Sequence, residues 1–531
     1  EEAMLHFQLS VVNEADLSAK CLVRKRIEAF SKPGIKTTLV DEVKPFAGTP
    51  DEYRVAVLGF GQTGQTALKE LFINTAFVPR ISLVTPDKNK KYDVEGYDFS
   101  RIKLDGSDSR FRIMAGGEPT QFVADVFDSD ADNLMGLFSY KNPLIICAKS
   151  NETDIFSALS STKNRSVNNI EKMYNFKGVK YDIEKLRRGT AFPVVIFHET
   201  SCLSTEFLED LDSASGIEYL SPDTGSETVK SESSGYRAGK KNYYKAFIIS
   251  LGNDESNITM ANALIDDIRH EYTRNKKPKA DCLPQTIYVN LRDERNNARL
   301  IYSSCDSEYL TVIPFGSSAD MYSYENVIDS NEVIQYHTSY NCLTQETYNN
   351  TFKAYIGDVK PVGAFYSYDE EKKQSKINLN DIGKVYYFNP CKEDNSDGLL
   401  YQNLKSLYEK VQRKYRTYLS MRNWFGCNMF NKQSNTASRN FAEFFRQYYI
   451  RKHKRLSDND FLLLSAVEHT RWNRFHISNG WVFAKDTNKQ KKEHKSIIPF
   501  DMLYYTNAKT IMYDAGNVIV GIERNNIGDK K

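Results

Sequence analysis

A strand, a glycine-rich turn and a helix follow one another at residues 54–76, and this order restricts the fold more than any other feature of the chain. Residues 55–58 (VAVL) are four consecutive apolar residues, which is typical of a strand buried on both faces. Gly59, Gly61 and Gly64 then have the spacing G-x-G-x-x-G. The segment QTALKELFINTAF that follows carries apolar residues at helical spacing. Together these features predict a turn that binds a phosphate group.

A physical requirement explains each of the three glycines in this turn. Gly59 permits a tight turn, Gly61 lets the backbone approach a pyrophosphate, and Gly64 lets the helix pack closely on the strand. The start of the helix offers free N–H groups and a positive dipole end to an anion. We therefore expect the turn to hold NAD(H), NADP(H) or another adenine nucleotide through Gly59, Phe60, Gly61, Gln62, Thr63 and Gly64. The alternative is a scaffold of the same fold whose site is empty or has another use.

An acidic residue after the next strand usually binds the ribose in such folds, about 20 residues beyond the glycines. The segment RISLVTPDK at 80–88 predicts a second buried strand and ends close to Asp87. Asp87 is therefore a candidate for the ribose-binding acid. It is equally well explained as a turn residue that follows Pro86.

Strands and helices alternate along residues 51–330. Further strands are predicted at 192–199, 245–251, 286–296 and 309–316, with helical patterns between several of them. Such alternation predicts a parallel sheet covered on both faces, with ligands at the carboxyl ends of its strands. Polar residues follow several of these strands: His198 and Glu199, and the turn at 253–256.

The pattern divides the chain into four parts. Residues 1–50 are predicted as strand, helix and strand, with the second strand at 35–43, and residues 51–330 as the nucleotide-binding domain with a long insertion near 100–190. Residues 331–400 are polar and are interpreted as a connector, and residues 401–531 as a helical region. In that region Ser438 and Asp458 are predicted N-caps, and Gly480 is predicted to end a helix.

Composition limits the classes of function. The chain has 531 residues, a net charge of +2 and 40% hydrophobic residues, which fits a folded soluble protein and gives no argument for nucleic acid binding. The eight cysteines form no CxxC pair and have no metal-ligand spacing, which indicates reduced thiols in the cytoplasm and no metal site. No apolar run approaches the ~18 residues of a membrane helix. Because the chain begins with Glu1, two alternatives stay open: a membrane segment upstream of this residue, or a membrane protein as a partner.

The segments VLGFGQTG, LVTPD and ISLGNDESNITMANAL resemble the TrkA-type (RCK-like) domains, which are nucleotide-binding regulatory modules of potassium transport systems. This resemblance spans roughly residues 52–330 and is interrupted by the predicted insertion. It implies a bound adenine nucleotide held by the glycines and Asp87, with Asp254 and Asn257 near the site or stabilising its turn. It also implies a homodimer that assembles through the sheet-covering helices.

The segments EHTRWNRFHISNGWVF and EHKSIIPFDML, between 468 and 503, resemble the RyR domain, which is named for the repeat in the ryanodine receptor. The combination of the two resembles a group of bacterial proteins that sense nucleotide signals, in some cases in antiviral defence. It implies a second ligand or partner at residues of the C-terminal part: His469, Arg471, Trp472, Trp481 and His494.

Two interpretations of this C-terminal cluster stay open. The guanidinium of Arg471 can hold a phosphate or a carboxylate while Trp472 or Trp481 stacks on a base. Alternatively, the tryptophans form a small core in which the histidines bond to backbone carbonyls.

No catalytic motif is present, and the i, i+4 pair His198 and Cys202 has no fixed geometry across a strand end. We expect an α/β protein with a Rossmann-like doubly wound parallel sheet and a small, mostly helical C-terminal domain. The expected function is a cytoplasmic nucleotide-binding regulator or sensor without enzymatic activity. The alternatives are a regulatory region of a potassium channel or transporter, and an NAD(P)-dependent oxidoreductase.

Overall fold

The computed structural model describes the parts of the chain at 13–32, 37–44, 52–79, 82–84, 113–115, 119–150, 192–215, 244–274, 285–301, 310–323, 326, 366–369, 374–379, 384–388, 428–453 and 458–500, and four short stretches beyond: 503, 514, 517–518 and 521–522.

A seven-stranded, fully parallel sheet forms the centre of the molecule, as the alternating pattern predicts. Its strands lie in the order β5-β6-β4-β1-β7-β8-β9. Their bounds are β1 Glu52–Leu58, β4 Gln121–Asp128, β5 Ile146–Lys149, β6 Val194–Glu199, β7 Ala246–Ile249, β8 Gln285–Asn290 and β9 Leu310–Phe315. On one side of β1 the chain forms β4, then the edge strand β5, and returns to place β6 between them; on the other side it runs outward from β7 through β8 to β9. Such a sheet with helices on both faces is an α/β arrangement of the Rossmann type.

Helices cover both faces of this sheet. In chain order they are α1 Glu14–Ser31, α2 Leu39–Glu42, α3 Gln62–Asn74, α4 Ala131–Lys141, α5 Phe207–Ser215, α6 Asp254–Arg274, α7 Glu294–Asn297, α8 Ser318–Met321, α9 Met429–Arg451 and α10 Asp458–Ser478. None of the helices in the described part of the chain is long and apolar enough to span a membrane.

Alternate residues of β1 point into two separate cores, because side chains of a strand alternate between the faces of a sheet. Val55 and Val57 lie in a core shared with α1, α3, α4, α9 and α10. Ala56 and Leu58 lie in a second core shared with α5 and α6. This explains the continuous apolar run that the sequence shows before the glycine turn.

Three smaller sheets complete the described structure. β2 (Ser82–Val84) pairs antiparallel with β3 (Ile113–Ala115). A three-stranded antiparallel sheet comprises β10 Tyr366–Asp369, β11 Gln374–Leu379 and β12 Lys384–Phe388, within the predicted connector. The short strands β13 Val482–Phe483 and β14 Glu493–His494 pair after α10.

Two strand predictions were wrong. The predicted strand at 35–43 contains helix α2, because Thr38 and Asp41 form a capping box that begins a helix there. The segment that contains β2 was predicted to be the second strand of the central sheet, but β4 takes that place beside β1. Both β4 and β5 lie within 100–190, where the sequence predicts an insertion.

The C-terminal helices pack directly against the part of the fold that contains the central sheet. Phe444 of α9 makes an edge contact with the ring of Phe77, with the ring centroids 6.4 Å apart. Ser438, predicted to cap a helix, lies inside α9, which begins nine residues earlier after its N-cap Asn428. Gly480 follows the end of α10 with a φ of 73°, as predicted. The division into four parts stays a prediction, although buried contacts join the second part and the fourth.

Candidate functional site

The glycine turn joins β1 to α3 at the carboxyl edge of the sheet. Gly59 has a φ of 85°, which favours glycine, and a Cβ at this position would lie 2.3 Å from the carbonyl oxygen of Ser250. A Cβ at Gly64 would lie 2.3 Å from the carbonyl oxygen of Gly59. The turn is therefore tight on both sides, against the loop after β7 and against its own helix.

Gly61, by contrast, faces open space. It is the N-cap of α3 and makes no side-chain capping bond, and among the described residues beyond its chain neighbours no heavy atom lies within 4 Å of a Cβ built on it. Gln62 is exposed and Thr63 half-buried, and the first turn of the helix carries no acidic residue. The first backbone N–H groups of a helix have no partner inside the helix, and here they lie where an anion can reach them.

The side chain of Phe60 lies in the core. Its side chain is fully buried and meets the rings of Phe138 and Phe197 at centroid distances of 5.1 and 5.3 Å. It anchors the turn in the core between α4 and β6, so only its backbone stays at the site.

An acid that the sequence analysis did not select stands beside the turn. Asp128 is the last residue of β4, and its Oδ2 accepts a 2.7 Å hydrogen bond from the N–H of Phe60. Its Oδ1 accepts from the N–H of Asp130 at 2.9 Å. The only sequence signal is that the apolar strand QFVADVFD ends in an acid, and its position beside β1 is visible only in the sheet order. Asp87 lies outside the described residues.

Asp254 and Asn257 form hydrogen bonds that join the loops after the neighbouring strands β7 and β8. The Oδ1 and Oδ2 of Asp254 accept from the N–H groups of Arg292 and Asp293 at 2.9 and 3.0 Å. Partial burial raises the pKa of Asp254, but these hydrogen bonds outweigh it and leave that pKa lowered. The buried Asn257 accepts from Leu251 N and donates to Asn290 O, both at 2.7 Å. These contacts support the role that stabilises the turn.

A buried polar cluster lies near the carboxyl edge of the sheet, on the face opposite the one that α3 covers. The Asp125 carboxylate accepts from Arg54 Nε at 2.8 Å and from the hydroxyl of Tyr244 at 3.1 Å, and it contacts His198 Nε2 at 2.9 Å. Desolvation raises the pKa of Asp125, but Arg54 and His198 outweigh it and hold that pKa below its ordinary value. Cys202 Sγ instead donates to Phe127 O at 3.2 Å, so the structure does not pair it with His198.

Arg471 is fully buried in the C-terminal part. Its Nε and one terminal nitrogen each lie 2.7 Å from an oxygen of Glu468, and that terminal nitrogen also donates to Ser438 Oγ at 2.9 Å. Burial raises the pKa of Glu468 in spite of this ion pair. A guanidinium held in this way favours the core interpretation over a phosphate-binding one.

The aromatic residues of this part stack on one another. Trp472 is half-buried and lies along α10 between His469 and His476, at centroid distances of 5.9 and 3.8 Å. Trp481 is 6% exposed and stacks on Phe430.

The histidines of this cluster bond to the backbone. His469 Nε2 contacts the carbonyl of Ile498 at 2.9 Å, and His494 Nδ1 accepts from Ser496 N at 3.1 Å. Burial lowers the pKa of His494 to about 4, so its ring is neutral at pH 7. The structure thus brings His469, Trp472, Trp481 and His494 together, in contacts that a small core provides. The second ligand stays a prediction.

Within the described ranges, no group of three or more His, Cys, Asp or Glu side chains is arranged to hold a metal ion. No protein-family model matches the chain, and comparisons with curated proteins and with solved structures found no significant match.

Proposed function

We propose that this chain is a nucleotide-binding regulatory protein, and that an adenine nucleotide or dinucleotide binds between the glycine turn and the loop after β7. The observation that carries the proposal is the open backbone at Gly61, at the start of a helix whose first turn has no acidic residue. Such a helix start attracts the negative charge of a phosphate.

The position of this turn in the sheet supports the proposal. The strand order runs one way from β1 and the other way from β7, so the two loops meet at the point where the connections reverse. Ligands of open parallel sheets bind at this point. A Cβ at Gly59 would lie 2.3 Å from the carbonyl oxygen of Ser250, so the two loops lie directly beside each other at this edge.

Asp128 supports binding of a ribose that carries no 2′-phosphate. Its carboxylate is anchored by two backbone N–H groups, and two of its lone-pair sites stay available for ribose hydroxyls. A 2′-phosphate here would meet a like charge. We therefore expect NAD to bind more tightly than NADP.

The regulatory part of the proposal follows from the resemblance to TrkA-type and RyR domains, as do a homodimer and a second ligand at the C-terminal part. Ligand binding regulates only if two states of the protein bind the nucleotide unequally. An oxidoreductase would instead turn over reduced nicotinamide, which an absorbance assay distinguishes.

Titration calorimetry of the purified chain with NAD, NADP and ATP tests the proposed site. A Gly61→Asp variant should lose nucleotide binding, because the new carboxylate occupies and repels the phosphate position. Gly136→Asp is the matched control, since Gly136 is an exposed glycine of α4 with equally open space around it.

Binding of none of the three nucleotides to the wild-type chain would refute the proposal. So would a Gly61→Asp variant that binds as well as the Gly136→Asp control.

A further inference from the structure

Arg474 of α10 is a fully buried cation that lies outside the proposed nucleotide site. No ion pair joins it to a carboxylate in the described part of the chain, and burial lowers its pKa to about 9. An unpaired buried guanidinium is costly to a fold unless its N–H groups are well bonded.

Its hydrogen bonds go to two elements far away in sequence. Nη1 donates to Phe72 O at 2.9 Å and to Thr75 Oγ1 at 3.3 Å, both at the end of α3. Nη2 donates to Thr120 O at 2.7 Å, directly before β4 begins. One planar group therefore ties the end of α3 to the start of β4.

The surroundings favour a positive charge at this point. The last carbonyls of a helix lack partners inside it and carry the negative end of its dipole. The guanidinium carbon also lies 4.8 Å from the ring centroid of Phe72 and 5.9 Å from that of Phe122, within reach of cation–π attraction.

The opposite ends of the same two elements build the proposed nucleotide site. α3 begins at the glycine turn, and β4 ends at Asp128, whose carboxylate bonds to the turn. α3 has 13 residues, so these ends are about 20 Å from Arg474. If α3 or β4 shifts as a rigid element at Arg474, its other end, at the proposed nucleotide site, shifts with it.

We propose that Arg474 is a positioning residue for the nucleotide site, and that docking of α10 through Arg474 and nucleotide binding strengthen each other. The inference rests on the proposed function. The reciprocity follows from linkage: if docked α10 raises the affinity for the nucleotide, the nucleotide stabilises docked α10 by the same factor.

The test compares two variants of one helix by titration calorimetry with NAD, or with ATP if the wild-type chain prefers it. Arg474→Lys keeps the charge, but one ammonium group cannot replace two nitrogens that reach different elements. We expect its nucleotide affinity to fall about tenfold.

Asn473→Ala is the control. Asn473 is equally buried on α10, but it donates to Ile498 O at 3.0 Å, in the C-terminal part itself. We expect this variant to lose stability while its nucleotide affinity stays within about twofold of the wild type. An equal loss of affinity in both variants, or in neither, would overturn the inference.

Hydrogen exchange of the wild-type chain decides the matter if Arg474→Lys does not fold. Saturating nucleotide should slow amide exchange in residues 458–478, and unchanged exchange there would also overturn the inference. A wild-type chain that binds no nucleotide refutes the proposed function instead, so the two failures are distinguishable.

Discussion

Asp125 shows how one residue combines burial, charge and pH dependence. Its carboxylate has no exposed surface and touches Arg54, His198 and Tyr244. Removing one partner of a buried ion pair is far more damaging than the pair is stabilising, because the other charge stays behind in the core. Loss of the Asp125 carboxylate would therefore leave the charge of Arg54 in the core without this carboxylate beside it.

We expect Asp125→Asn to lower the free energy of unfolding by about 3–5 kcal/mol, measured by urea denaturation at pH 7. Asp132→Asn, which removes an exposed ion pair with Lys149, is the control and should cost below about 1 kcal/mol. Similar losses in both variants would contradict the assigned role of Asp125.

The lowered pKa of Asp125 also gives a direction for the dependence on pH. A folded-state pKa below the unfolded one contributes stability at neutral pH, and this contribution disappears as the pH falls below about 4. We expect the wild-type chain to lose stability over this acid range more steeply than Asp125→Asn does. Denaturation curves at a series of pH values measure the difference, and parallel losses would count against it.

At the scale of elements, the glycine turn contains one glycine that the fold requires, Gly59, and one that the proposed ligand requires, Gly61. We expect Gly59→Ala to destabilise the fold by ~3 kcal/mol, because the φ of 85° and the carbonyl oxygen of Ser250 both oppose a side chain. Gly61→Ala should change stability by less than about 0.5 kcal/mol, since its φ of −61° suits any residue. Equal unfolding midpoints in urea for the two variants would refute this separation.

The sequence predicts most elements correctly where their signal is local. Apolar runs, the glycine spacing and the alternation of strands and helices identify β1, α3, β6, β7, β8 and β9. The apolar pair Leu39 and Val40 favours a strand at α2, whereas the capping box of Thr38 and Asp41 favours the helix that forms. Capping bonds compete with side-chain patterning over so short a segment.

The remaining failures concern contacts between distant parts of the chain. Neither the place of β4 beside β1 nor the bond from Phe60 to Asp128 follows from any local pattern. Arg474 was not selected because its partners are mostly backbone carbonyls, which every residue possesses. Pairings of this kind depend on topology, which periodicity does not specify.

At the scale of the whole molecule, the C-terminal helices complete a core that begins near the other end of the chain. Phe444, Phe445 and Leu464 share a buried cluster with α1 and α3. Gln447 of α9 accepts from Leu39 N at 2.8 Å and donates to Phe30 O at 3.1 Å. The two parts therefore depend on each other for burial.

We expect residues 1–427, produced without α9 and α10, to be poorly soluble, because the apolar face of α3 and the surface around Phe77 lose their cover. Size-exclusion chromatography of this fragment beside the full chain measures the effect. A monodisperse, cooperatively unfolding fragment would show instead that residues 1–427 fold without the C-terminal part.

The shared core also has a consequence for biosynthesis. α3 leaves the ribosome long before α9 and α10 are translated, a delay of tens of seconds at about 5–20 residues per second. During that interval α9 and α10 do not yet cover the apolar face of α3 in the nascent chain. The core around α3 is therefore completed only after α9 and α10 have been translated, and until then its apolar face is open to aggregation.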